Sequence, residues 1–176
     1  MQPVVSTTRS HRSAVGFTLV ELVIVVLVLG IAAALAVPML GNTAINRLRG
    51  AASMLIADVS YAQIESVAHG DDRRLVVFDN PNDTYHLAAQ SDPATPITNP
   101  ITKQPYVVDY GSGPAQSLTG VTIDSYDLDG DDQLGFTIYG GLDQASDATI
   151  TLGCEGMSVT VTIDATTGEG VIGAIN

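Results

Sequence analysis

The sequence predicts an α+β protein, with one long N-terminal helix packed on a mainly antiparallel β-sheet domain. Three observations predict it. A nearly uncharged apolar run occupies residues 17–40, an apolar stripe of helical period continues to residue 62, and segments of period two fill the chain beyond Gly70. A chain of 176 residues has room for one domain of ordinary size besides such a run. The divisions this predicts are a leader over residues 1–16, a transmembrane helix over 17–40, its continuation over 41–70, and a β-rich domain over 71–176.

The leader, MQPVVSTTRSHRSAVG, holds Arg9 and Arg12 and no acid. The run after it, FTLVELVIVVLVLGIAAALAVPML, carries one charge, Glu21. As a helix its 24 residues would rise roughly 36 Å, against about 30 Å for the hydrocarbon core of a bilayer. Basic residues ahead of the run would keep the N-terminus cytoplasmic and send the rest across. A cleavable secretory signal competes with this reading, because Ala34-Leu35-Ala36 fits an A-x-A cleavage site. The run is longer than the usual apolar core of about 7–15 residues and contains a carboxylate, and both facts count against such a signal. A charge in hydrocarbon costs at least about 2.5–3.5 kcal/mol, so Glu21 calls for an explanation.

Beyond Pro38, the residues Ile45, Leu48, Ala52, Leu55, Val59 and Ala62 recur in steps of three and four, with Arg47, Arg49, Asp58 and Glu65 largely off that stripe. Its alanines favour packing on a sheet over a coiled coil, and His69-Gly70 supplies a C-terminal stop. One helix of about fifty residues is expected. Strands are expected at Arg74–Phe78, Thr84–Ala88, Tyr106–Tyr110, Val121–Tyr126, Leu134–Tyr139, Ala148–Leu152, Met157–Ile163 and Val171–Ile175. The proline-rich stretch Gln90–Pro105 is expected as a long exposed loop, either a solvated connector or a contact for partners.

Charge narrows the function classes. Past Gly16 five basic residues face nineteen acids, a balance of −14, which repels both phosphate backbones and anionic lipid surfaces, so no nucleic-acid partner is expected. The single cysteine, Cys154, can form no internal disulfide and has no pattern of histidine around it that would activate a thiol. No catalytic motif is present, and an enzyme is not expected. One cluster has metal-ligand spacing. Asp127, Asp129 and Asp131 alternate like the opening of a calcium loop, although Asp132 stands where such a loop takes glycine and Ile138 where it takes glutamate. The competing reading is a solvated Asp/Gly turn; apart from a structural calcium ion here, no cofactor is expected.

The stretch Gly16-Phe17-Thr18-Leu19-Val20-Glu21 resembles the prepilin peptidase site shared by type IV pilins and type II secretion pseudopilins. The resemblance implies cleavage between Gly16 and Phe17, N-methylation of Phe17, and pairing of Glu21 with the N-terminus of a neighbouring subunit during filament assembly. Such pairing would relieve two charges that are costly alone in lipid. Gly30 and Pro38 fall where this family commonly places a helix-loosening glycine and a kinking proline. The strand-rich body, and a C-terminal run from Ala148 to Ile163 that ends in Thr167-Gly168, are similar to the minor pseudopilins called general secretion pathway protein H. The expected function is therefore that of a minor pseudopilin supporting protein export by a type II secretion system. Its implied partners are the prepilin peptidase, other pseudopilins or pilins, and an inner-membrane assembly platform. The implied location is the inner membrane, spanned once by residues 17–40, with the C-terminal domain periplasmic. The alternatives are a minor pilin of a surface pilus and a membrane-tethered module that does not polymerise.

Overall fold

The structure, a computed structural model, describes residues 18–36, 43–70 and 72–176. Two compact units divide the chain, Met1–Gly41 and Asn42–Asn176.

The described part of the first unit is helix α1, Leu19–Ala36. Thr18 starts it, its carbonyl accepting from the Leu22 amide and its hydroxyl from the Glu21 amide, both at 3.2 Å. Glu21 lies in the first turn, where the helix dipole favours an anion. The large apolar side chains from Leu19 to Ile31 are all exposed. Two expectations are corrected at this point. As described the helix has 18 residues and rises about 27 Å. Among the described residues no helix is long and apolar enough to cross a membrane, and this overturns the transmembrane helix over 17–40 and the single-pass inner-membrane location. The pilin-like picture of one long N-terminal helix is corrected as well: the described helices are α1 and α2 (Thr43–Ala68), and among the described residues neither is a long apolar helix. Pro38 lies outside the described residues.

In the second unit α2 buries Ala44, Leu48, Ala51, Ala52, Leu55, Val59 and Ala62 along one face. These are the stripe residues and their helical neighbours, apart from Ile45, which is half-buried. The helix packs against strands of two separate antiparallel sheets rather than one. The first sheet contains β1 (Arg74–Asp79), β2 (Thr84–Ala89), β3 (Asp92–Pro96), β4 (Val107–Asp109) and β6 (Gln133–Gly135), in the order β3-β2-β1-β6 with β4 also on β2. The second runs β5-β7-β8-β9, formed by Thr122–Asp127, Ala148–Cys154, Met157–Ile163 and Gly170–Ile175. Its register sets Ile150 opposite Val161 and Leu152 opposite Val159, all buried, while the alternate Thr151 and Thr160 hydroxyls meet at 3.1 Å.

Two local expectations also change. The stretch expected as a loop contains β3, whose Pro93 and Pro96 are tolerated because it is an edge strand that lacks a neighbour on one side. The strand expected to Tyr139 stops at Gly135. Thr137 and Gly141 turn the chain instead, with the Thr137 amide donating to the Gly141 carbonyl at 2.7 Å and Gly140 at φ +89°. That turn leaves Tyr139 91% exposed where a strand would have paired it.

Candidate functional site

Of the residues singled out in the sequence, Gly16 and Phe17 lie outside the described residues. Glu21 is exposed on α1. The aspartates of the calcium-loop pattern are engaged in shaping a turn. Asp127 ends β5 opposite Thr149, Asp129 takes a left-handed φ of +64°, and Asp131 Oδ1 accepts from the Gln133 amide at 2.8 Å. Asp132 Oδ1 accepts from the Tyr126 hydroxyl at 2.6 Å; desolvation first, and then this carboxylate, push that hydroxyl up to about 12. Leu128, buried between these acids, pins the turn to the core. Among the described residues no three His, Cys, Asp or Glu side chains are placed to hold a metal ion. Cys154 is buried and free.

A different acid occupies the interior. Asp58 lies three residues after Leu55 and four before Ala62, so the helical period turns it toward the sheets, where it is 7% exposed. The expectation that Asp58 lies off the stripe is therefore corrected. Tyr85, fully buried on β2, donates its hydroxyl to Asp58 Oδ2 at 2.6 Å, and Tyr106, just before β4, donates to Oδ1 at 2.9 Å. Burial pushes the Asp58 carboxyl above its ordinary range, and the two hydroxyl donors oppose that rise. The same burial, reinforced by the Asp58 charge, raises Tyr85 and Tyr106 far above the ordinary phenol range.

Aromatic packing holds the donors in place. Tyr61 of α2 stacks on Tyr106 with ring centroids 5.8 Å apart, while Phe78 and Tyr110 flank Tyr85 at 5.7 and 6.1 Å. No cation reaches the carboxyl: the ion pairs among the described residues are Arg47–Glu155, Glu65–His69 and Arg74–Asp72. Asp58 lies in the wall of a cavity of about 160 Å³, together with Met54, Tyr106, Val108, Asp109 and Ala115. A short 3₁₀ helix, Gly113–Leu118, forms its far side, and Asp109 is tied to it through a 2.9 Å hydrogen bond from the Ser112 hydroxyl. The arrangement offers carboxylate acceptors on an apolar surface. The wall brings the Asp58 and Asp109 carboxylates together with the Tyr106 ring and the apolar side chains of Met54, Val108 and Ala115.

A charged residue on an apolar helical stripe, with two tyrosines on segments of period two, is the signal that could have marked this cluster. The pairing of Asp58 with those tyrosines depends on contacts 27 and 48 residues away and is not local information. Ser66 and Gln63 show a second use of the same helix. The Ser66 hydroxyl accepts from the Arg74 amide at 2.8 Å and donates to the Arg74 carbonyl at 3.1 Å, joining α2 to β1. Gln63 donates from Nε2 to the carbonyls of Gly140 and Thr167, each at 2.7 Å, and so fastens two loops.

Compared with protein-family models, with curated proteins and with solved structures, the chain matches none.

Proposed function

We propose that the chain is a filament subunit processed by a prepilin peptidase, of the minor pseudopilin kind that serves a type II secretion machine. The observation that carries the proposal is the junction Gly16-Phe17-Thr18-Leu19-Val20-Glu21, placed directly at the start of a helix whose side chains are apolar and exposed. Cleavage between Gly16 and Phe17 leaves that helix at the new N-terminus, with Phe17 methylated. Eleven large apolar side chains of α1, from Leu19 to Ile31, are 47–80% exposed. Covering each is worth up to about 1.5–3 kcal/mol, so the helix gains strongly by packing against equivalent helices in an assembly. Glu21 then has a use, since the charged amine of a neighbour's processed N-terminus neutralises it when both leave water. The acidic body favours protein neighbours over a nucleic acid. Its partners on this reading are the peptidase, an assembly platform and other processed subunits, and its role is structural rather than catalytic.

Mass spectrometry of the mature N-terminus tests the processing. Methylated Phe17 is expected, while an intact Met1, or a start at Val37 as a secretory signal would leave, refutes it. Assembly is tested by crosslinking. Glu21→Ala is expected to abolish incorporation into the filament, and incorporation at the normal yield would refute the role assigned to that carboxylate.

A further inference from the structure

We infer that the cavity beside Asp58 is a binding site for a small amphipathic cation, an alkylammonium or guanidinium head on a short apolar stem. This goes beyond the filament reading and does not depend on it.

The inference starts from what surrounds the carboxyl. Asp58 is buried and accepts only from two neutral hydroxyls, so its hydrogen bonds are in place while its charge has no counter-ion among the described residues. A buried carboxylate of this kind is costly, and a cation entering the cavity would offset that cost. Each Asp58 oxygen keeps acceptor capacity beyond its one hydroxyl donor. The exposed Asp109 carboxylate in the same wall adds a second negative charge. Met54, Val108, Pro114 and Ala115 contribute apolar wall, and the face of Tyr106 is the kind of surface on which an organic cation rests.

Size and charge narrow the ligand. A cavity of about 160 Å³ is well below the roughly 300–1,000 Å³ of sites for drug-sized ligands. It matches about five water volumes, and so a stem and head of about five non-hydrogen atoms. An anion is disfavoured by both acids and by a body that carries nineteen acids against five basic residues after Gly16. A bare metal ion is not favoured, because among the described residues no third ligand is placed with these two. The apolar stem is the part of the ligand that the apolar wall selects.

The full-length chain has six tyrosines and no tryptophan, so tyrosine emission reports directly on a ligand that reaches Tyr106. It is titrated with n-butylammonium chloride, with butanol and sodium chloride as controls for stem and salt. Saturable binding is expected at roughly millimolar concentration, the range open to so small a ligand. Binding is expected to weaken at least tenfold in Asp58→Asn, which keeps the shape and removes the charge. Asp109→Asn at the exposed wall is expected to weaken it about threefold and to leave the fold unaltered, so it decides the matter if Asp58→Asn fails to fold. Butanol binding as tightly as the amine, an unchanged affinity in both variants, or no saturation by 100 mM overturns the inference. A parallel titration with N-acetyl-lysine amide and with free spermidine separates the sources. Tighter binding of the lysine derivative assigns the site to a basic side chain of a protein partner, and tighter binding of spermidine assigns it to a free amine.

Discussion

Tyr85→Phe tests the Asp58 cluster at the point where it bears on stability. The variant removes one oxygen atom and leaves the packing of the ring against Phe78 and Tyr110 unchanged. It takes away the 2.6 Å donor to Asp58 Oδ2 from a ring position that is fully buried. A hydrogen bond to a charged partner is worth about 1.5–3 kcal/mol, so a loss of about that size is expected near pH 7. The pH dependence has a definite sign. Burial raises the folded-state Asp58 pKa above its unfolded value, so the contribution of this group is most favourable below the unfolded value and declines as pH rises through the raised one. Tyr85 opposes the rise, and its loss lifts the folded-state pKa further. The variant should therefore be closer to the unaltered protein at pH 4 than at pH 7. Urea unfolding at the two pH values measures this, with Tyr61→Phe as the control. Tyr61 is half-buried and contributes a stacked ring, so less than about 0.5 kcal/mol is expected from its hydroxyl. A loss below about 0.5 kcal/mol for Tyr85→Phe at pH 7, or an equal loss at both pH values, would refute the account of the cluster.

Other expectations follow from the core and the turns. Leu55→Ala empties a fully buried site between α2 and the sheets and should cost about 2–5 kcal/mol by chemical denaturation. Gly141→Ala should cost about 1–3 kcal/mol, because the added methyl would meet the Thr166 carbonyl oxygen at 2.6 Å and that of Ala165 at 3.0 Å, both backbone atoms that cannot swing aside. Millimolar calcium should leave the thermal midpoint unchanged, since Asp131 and Asp132 are already hydrogen-bonded within their turn. A rise that disappears in Asp129→Ala would reinstate the calcium loop.

Much of the second unit was legible in the sequence. The stripe from Leu48 to Ala62 is buried as its period required, and the alternation in Met157–Ile163 matches the buried Val159, Val161 and Ile163 of β8. These patterns are local, since the geometry of a helix or a strand alone decides which side chains share a face. The failures share a cause. A strand at Asp92–Pro96 exists only because β2 offers it an edge, and the turn that ends β6 exists because Gly141 and Leu142 meet residues 24 or so positions later in the chain. Asp58 is expected off the stripe although the helical period sets it on the buried face; what no local pattern supplies is its pairing with Tyr85 and Tyr106.

What the sequence by itself determined is the junction and the periodicities. The residues Gly16 to Glu21 carry the resemblance to a prepilin peptidase site, and on the proposed reading they would be recognised along the chain whatever the body folds into. The apolar character of α1 is equally plain from composition, but the loss of the membrane-spanning reading came from the structure, where among the described residues no helix is long and apolar enough to cross a membrane. Only the tertiary structure decided that the strands divide into two sheets with α2 packed against both, and that this packing buries a carboxylate under two tyrosine hydroxyls. The physical reason is range. Backbone stereochemistry acts over a few residues, whereas the burial that creates the Asp58 cavity depends on groups brought together from α2, β2, β4 and the 3₁₀ helix once the chain has folded.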